Sequence, residues 1–259
     1  MHINNLFSLK GGCALVIGGA GKVGFPMAEA LAEAGARVYI ASRSAENYQL
    51  AVDRLKSLGL DVIGIAVDQS NESSVKQALK FISDGYKTPD ILINSGCDRP
   101  MTKFYNDSIE NWDKSMEVNS RGLFVTCRIF GNAMALQRKG SIINISSIYG
   151  MVAPDMGIYD GVNFETEPDY PFVKGGIIAY SKYLSSYYAK NNVRVNCISP
   201  GGVFNDQKEP FLSNYEKKTP LGRMANPNDM KGIALFLASE ASSYITGSVI
   251  PVDGGWTAV

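Results

Sequence analysis

Apolar blocks alternate along the chain with stretches of helical period, beginning close to its first residue. The run CALVIG, Cys13 to Gly18, meets a glycine cluster, and an Ala-rich segment of helical spacing follows from about Gly24 to Ala34. This predicts strand, tight turn, helix. The alternation continues with strands predicted at Val38 to Ala41, Val62 to Val67 and Asp90 to Asn94, and helices at Ala45 to Leu58 and Glu72 to Ser83. Beyond them, helical stretches at about Ser108 to Gln137, Pro171 to Lys190 and Asp229 to Ala238 flank strands at Ser141 to Ser146, Val193 to Ile198 and Ser248 to Val252. All-apolar strands separated by helices predict a parallel sheet covered on both faces. No linker, repeat or low-complexity tract interrupts the seven strands, so residues 1–259 read as a single doubly wound α/β domain. Its ligand crevice is expected at the carboxyl ends of the strands.

Gly18, Gly21 and Gly24 fall at the first strand-to-helix turn. There, missing side chains let the backbone approach a pyrophosphate, and the helix start offers free N–H groups. Lys22 and Val23 lie between the second and third glycines, and Val23 stands where a magnesium-binding phosphate loop needs Ser or Thr. The turn therefore reads as a dinucleotide site. After the second strand the chain has Ser42 and Arg43 where a carboxylate would accept hydrogen bonds from the NAD ribose. A guanidinium there suits a 2′-phosphate, with Lys22 adding charge, so NADP(H) is expected in preference to NAD(H).

Composition narrows the chemistry further. The chain is 45% hydrophobic and 19% charged with a formal net charge of zero, which gives no pull towards nucleic acid or an anionic membrane. No signal peptide or run of about 18 uncharged apolar residues is present, and a cytoplasmic location is expected. Cys13, Cys97, Cys127 and Cys197 are scattered without a CxxC pair, so neither a metal site nor a disulfide framework is expected. The only histidine is His2, which removes a Ser-His-Asp triad, an HExxH zinc site and any histidine base. Tyr170 and Lys174 supply a different acid/base pair, four residues apart on one helix face. With 13 tyrosines in the chain, about one such pair arises by chance. Context gives this one its weight: it follows SIINISSIYG and precedes VRVNCISPGG, beside the ends of two central strands.

The segments GGAGKVG, ASRS, VDQS, ILINSG, EVNSRG, INISSIYG, YPFVK, VRVNCISPGG, PLGRMANPNDM and YITGSVIPVDGGW run in order along essentially the whole chain. Together they resemble the single-domain branch of the short-chain dehydrogenase/reductase family, a Rossmann-type fold. The resemblance implies Tyr170 as general acid/base, Lys174 as the ribose-binding lysine that assists it, and Ser147 as hydroxyl donor to the substrate oxygen. Asn119 resembles the asparagine that holds a water in the proton relay. Asp68 and Gln69 would meet the adenine, Asn94, Ser95 and Gly96 would line the cofactor, and Pro200, Gly201 and Val203 would close over the nicotinamide. Bland roles remain open here: Ser147 as a strand-end cap, Asn119 as a helix-interior amide, Asp68 as a turn former. Lys22 replaces the branch's middle glycine, Ser95-Gly96-Cys97 replaces Asn-Ala-Gly, and Asn205 replaces the threonine that caps the nicotinamide amide.

Tyr170 follows Ser147 by 23 positions, a longer interval than most members of that family use. The extra stretch, an insertion at about 148–169, is expected to shape the substrate pocket. It carries Asp155, Asp160, Glu165, Glu167 and Asp169 with no Lys or Arg between Gly140 and Val173, and so predicts an acidic wall suited to hydroxyl-rich or amino-bearing substrates. Arg99, Lys103 and Arg223 stand against it. SSIYGMVAPDMGIYDG and PGGVFNDQ resemble a subgroup associated with flagellin modification and unusual sugars, which implies a carbohydrate-type carbonyl or alcohol as substrate. The aromatic face at Tyr180, Tyr183, Leu184 and Tyr187 reads as core or subunit interface, and the resemblance implies a homotetramer or homodimer. Two rival readings are a catalytically silent NADP(H) sensor or scaffold, and a nucleotide-sugar epimerase suggested by the glycine spacing.

Overall fold

The computed structural model describes residues 2–259. Seven strands, β1 (Cys13–Ile17), β2 (Arg37–Ser42), β3 (Val62–Ala66), β4 (Ile91–Asn94), β5 (Gly140–Ile145), β6 (Val193–Pro200) and β7 (Val249–Val252), form one parallel sheet in the order β3-β2-β1-β4-β5-β6-β7. The order reverses between β1 and β4, which opens the crevice at their carboxyl ends.

Among the described residues nine α-helices accompany them: α1 (Ile3–Leu6), α2 (Gly24–Glu33), α3 (Ala45–Ser57), α4 (Glu72–Gly85), α5 (Ile109–Ser115), α6 (Gly122–Gln137), α7 (Asp169–Tyr188), α8 (Phe211–Lys218) and α9 (Asp229–Ala238). Because strand side chains alternate between faces, Leu15 and Ile17 join one core with Ile82, Phe130 and Leu184, while Ala14 and Val16 join another with Leu31, Leu55 and Leu237. Both faces are thus sealed. Between them, a buried polar line crosses the sheet: Thr126 Oγ1 donates to Asn94 Oδ1 at 3.0 Å, Asn94 Nδ2 to Asn144 Oδ1 at 2.8 Å, and Asn144 Nδ2 to Ser181 Oγ at 2.9 Å.

Three elements depart from the sequence expectations. The single helix expected over Ser108 to Gln137 is broken by a π turn, Met116–Arg121, which contains Asn119. α7 begins at Asp169 and so includes Tyr170 in its first turn. α8 was not expected at all; it buries only Phe211 and Tyr215, a stripe too sparse to register as periodic.

A third cluster, Ile148, Ile158, Phe211, Tyr215, Met224 and Trp256, packs the insertion against α8. Lys218 pairs with Asp155 at 2.6 Å, and Asn214 Nδ2 donates to the Asp160 carbonyl at 3.1 Å. The insertion is a folded wall.

Asn144→Leu takes the acceptor from Asn94 Nδ2 and the donor from Ser181 Oγ in the core, and is expected to lower stability by about 2–4 kcal/mol. Guanidinium unfolding checks this; a loss under about 0.5 kcal/mol would show the line to be dispensable.

Candidate active site

Two cavities open at the carboxyl edge of the sheet and share Ser95 and Cys97 in their walls. The larger, about 690 Å³, is lined by Lys22, Val23, Ser147, Tyr170, Lys174, Pro200, Gly201, Val203 and Asn205. The smaller, about 350 Å³, is lined by Gly18, Gly21, Ser42, Arg43, Asp68, Gln69, Ser95 and Gly96. Most of the positions singled out in the sequence therefore meet along one cleft.

The glycine turn shows why side chains are missing. Gly18 has φ +71°, and a Cβ on it would lie 2.7 Å from the Gly96 nitrogen. Gly24 lies in neither cavity wall; a Cβ there would come within 2.3 Å of the Gly18 carbonyl, so its part is to let α2 pack against the turn. Lys22 reaches across the mouth of the larger cavity to Asn205 Oδ1. Asp68 Oδ1 accepts from Ser70 N–H at 3.0 Å and from Ser70 Oγ at 2.8 Å, and Gln69 Nε2 donates to the Val118 carbonyl at 2.8 Å.

At the other end, β5 and α7 are fastened to each other. Lys174 Nζ, in a side chain only 5% exposed, donates to the Ile145 carbonyl at 3.0 Å, and Ser146 Oγ donates to the Lys174 carbonyl at 2.7 Å. Gly150 allows this approach, since a Cβ there would lie 2.6 Å from the Lys174 carbonyl. Lys174 Nζ stands 5.4 Å from the Tyr170 ring centroid. Ser147 is buried, and its Oγ accepts from the Tyr149 N–H at 3.2 Å. Its hydroxyl proton has the cavity before it.

Asn94 and Asn119 are placed differently from the other residues. Both line a small recess behind Lys174, and the Asn94 amide is spent on the polar line across the sheet. Asn119 Oδ1 accepts from Asp98 N–H at 2.8 Å, while its Nδ2 donates to the Asp98 carbonyl at 2.7 Å and to Ser115 Oγ at 3.0 Å. Ser115 in turn bonds Asp169, the neighbour of Tyr170.

Arg99 enters the sequence reading only as a charge opposing the acidic wall. Its guanidinium lies 4.6 Å from the Tyr170 ring centroid, pairs with Glu167 and faces the larger cavity. Burial would lower its pKa, but Glu167 and Tyr170 beside it outweigh that and hold it above its ordinary value. No local pattern links positions 99 and 170.

The acidic wall does not form. Asp155 pairs with Lys218, Glu167 with Arg99, and Asp169 is buried against Ser115, so of the five acids only Glu165 lines the larger cavity. The wall is instead aromatic: Tyr149, Tyr159, Phe164, Phe211 and Tyr215. Burial raises the Tyr149 and Tyr159 phenols and pushes Tyr215 up to about 12, leaving them as neutral hydroxyls. The buried cysteines behave alike, with Cys13 and Cys127 pushed to about 12 and Cys197 to about 11 by burial. Among the described residues no group of three His, Cys, Asp or Glu side chains is arranged for a metal, and no helix is long and apolar enough to cross a membrane.

Backbone bare of side chains at the turn, cations at Lys22, Arg43 and Lys174, and two joined cavities fit an extended dinucleotide beside a small substrate. Comparisons with known proteins point the same way. Residues 19–257 match the family model described as enoyl-(acyl carrier protein) reductase. The chain is 32% identical to the 3-oxoacyl-[acyl-carrier-protein] reductase FabG of Chlamydia pneumoniae, covering 96% of this chain and 98% of that one. A short-chain dehydrogenase from Leptospira borgpetersenii with bound NAD⁺ is similar at TM-score 0.86 and 34% identity over 99% of this chain and 96% of that one. A gluconate 5-dehydrogenase from Burkholderia cenocepacia, in complex with NADP and tartrate, superposes at TM-score 0.90 and 26% identity over the full length of both chains.

Proposed function

The chain belongs to the short-chain dehydrogenase/reductase family of NAD(P)-dependent oxidoreductases, and from that premise we propose a reaction, a preferred cofactor and a substrate class. The reaction is hydride transfer between the nicotinamide and a carbonyl or secondary alcohol, with NADP(H) preferred over NAD(H) and a carbohydrate-type small molecule as substrate. The observation that carries this is the convergence of Ser147, Tyr170 and buried Lys174 on one cavity at the sheet's carboxyl edge.

NAD(P)(H), when bound, supplies or takes the hydride. Gly18 and Gly21 would hold its pyrophosphate, Arg43 its 2′-phosphate, Asp68 and Gln69 its adenine, and Lys174 its nicotinamide ribose, while Pro200, Gly201, Val203 and Asn205 close the nicotinamide end. Ser147 and Tyr170 donate hydrogen bonds to the substrate oxygen as negative charge develops there. Tyr170 then gives up its phenolic proton, and the Lys174 ammonium offsets the charge left behind. Asn119 has both amide atoms engaged by Asp98 and Ser115, so its backbone carbonyl, in the π turn, is the group it would offer a relay water beside Lys174.

Substrate selection falls to the insertion. The neutral phenols of Tyr149 and Tyr159 with the partnerless buried hydroxyl of Thr166 offer hydrogen bonds to a polyol. The Arg99 guanidinium bonds Glu167, and its remaining donors suit a carboxylate, as a sugar acid would carry. The tartrate-bound gluconate 5-dehydrogenase supports this class. A homodimer or homotetramer uses the exposed face of α7, where Tyr183 and Tyr187 are each 60% exposed and stack at 5.9 Å, next to Tyr180, which packs on Phe124 of α6.

Tyr170→Phe removes the proton and leaves the ring. It is expected to lower kcat/KM at least about 10³-fold while NADPH affinity, by fluorescence titration, stays within about twofold. Full activity in this variant would show that the proton comes from elsewhere. Arg43→Ala is expected to weaken NADP⁺ binding about tenfold or more and to leave NAD⁺ nearly unchanged. Equal affinity for both cofactors, unmoved by the substitution, would refute the NADP(H) preference.

A further inference from the structure

The smaller cavity contains a charged pair of which the reaction above uses only Arg43. Arg43 Nη1 lies 3.2 Å from Asp98 Oδ2, across the cleft between the loops that follow β2 and β4. An exposed ion pair of two free side chains contributes little and holds neither in place. Here the acid is pinned. Its N–H and carbonyl are both bonded to the Asn119 amide, at 2.8 and 2.7 Å, and its Oδ1 accepts the Arg99 N–H at 3.1 Å. Only Oδ2 remains to face the cavity and Arg43.

We propose that Asp98 is a cofactor-specificity residue, the acid that reads the adenosine ribose at its 2′ position, supplied by the β4 loop opposite Arg43. This rests on the reading of Arg43 as the 2′-phosphate ligand. A ribose 2′-hydroxyl donates to Oδ2, whereas a 2′-phosphate seated on Arg43 brings like charge against a carboxylate that its bond to the Arg99 N–H holds in place. Asp98 must also release Arg43 before either cofactor can use that guanidinium. Arg43 alone would discriminate strongly for NADP(H); the pair narrows the ratio and keeps NAD(H) usable.

The test is the affinity of the full chain for NADP⁺ and NAD⁺, by fluorescence titration or calorimetry, in the parent, Asp98→Asn and Arg43→Ala. Asp98→Asn keeps an oxygen for the Arg99 N–H while removing the charge. It is expected to tighten NADP⁺ about tenfold after solvent screening and to weaken NAD⁺ by about two- to fivefold. Thermal unfolding by circular dichroism reports whether the loop survives. Asp98→Thr, also neutral and also able to accept the Arg99 N–H, must move the ratio the same way if Asp98→Asn does not fold. An NADP⁺/NAD⁺ ratio unchanged within about twofold in the folded neutral variant, with Arg43→Ala still weakening NADP⁺, overturns the inference and leaves the Arg43 reading intact. Arg43→Ala without effect on NADP⁺ sinks the Arg43 reading, and the inference with it.

Discussion

A buried ammonium at the end of β5 organises this molecule's cleft. Lys174 Nζ bonds the Ile145 carbonyl, and the Lys174 carbonyl takes the Ser146 hydroxyl, so strand and helix hold each other through two bonds in opposite directions. A cation out of water is costly unless its hydrogen bonds are met, and a carbonyl at a strand end is otherwise an orphan acceptor. Each solves the other's problem. Once α7 is fixed at Lys174, one helical turn sets Tyr170 beside it, and Ser147, next after Ser146, faces the same cavity. Gly150 is part of the same constraint, because any side chain there would push the helix away.

From that anchor the rest of the cleft is arranged by restraint of loops. The Asp98-Arg99 segment is tied twice to the start of α7, through Asn119, Ser115 and Asp169 on one side and through Glu167 on the other. A side chain that in isolation reads as chemistry therefore serves as a clamp. The insertion obeys similar logic: three of its five acids are consumed by Lys218, Arg99 and Ser115, and what it turns to the cavity is mainly hydroxyl and aromatic surface, with Glu165 as its one charge.

What the sequence made legible was whatever local period and turn chemistry encode. The all-apolar strands, the glycine turn and the long helices follow from alternation and spacing, and the positions of Ser147, Tyr170 and Lys174 on one cavity follow from strand order. The π turn at Met116–Arg121 was invisible because its residues are as helical in composition as their neighbours. Helix α8 was missed because FLSNYEKK buries only two side chains. The charge of the insertion was misjudged since its partners, Lys218 and Arg99, lie tens of residues away. The pairs Arg43 with Asp98 and Arg99 with Tyr170 have no local signature at all; only the order of the strands in the sheet brings such positions together.

The central claim is that this cleft transfers a hydride and is not simply a nucleotide-binding surface. Single-turnover mixing with NADPH deuterated at the transferring carbon, against a panel of keto-sugars, keto-acids of sugars and simple ketones, tests it most directly. The expected result is loss of NADPH absorbance with deuterium recovered on the former carbonyl carbon of at least one carbohydrate-type substrate. Tight NADPH binding with no deuterium transferred to any member of the panel would contradict it and make the protein a silent binder on an enzyme's fold.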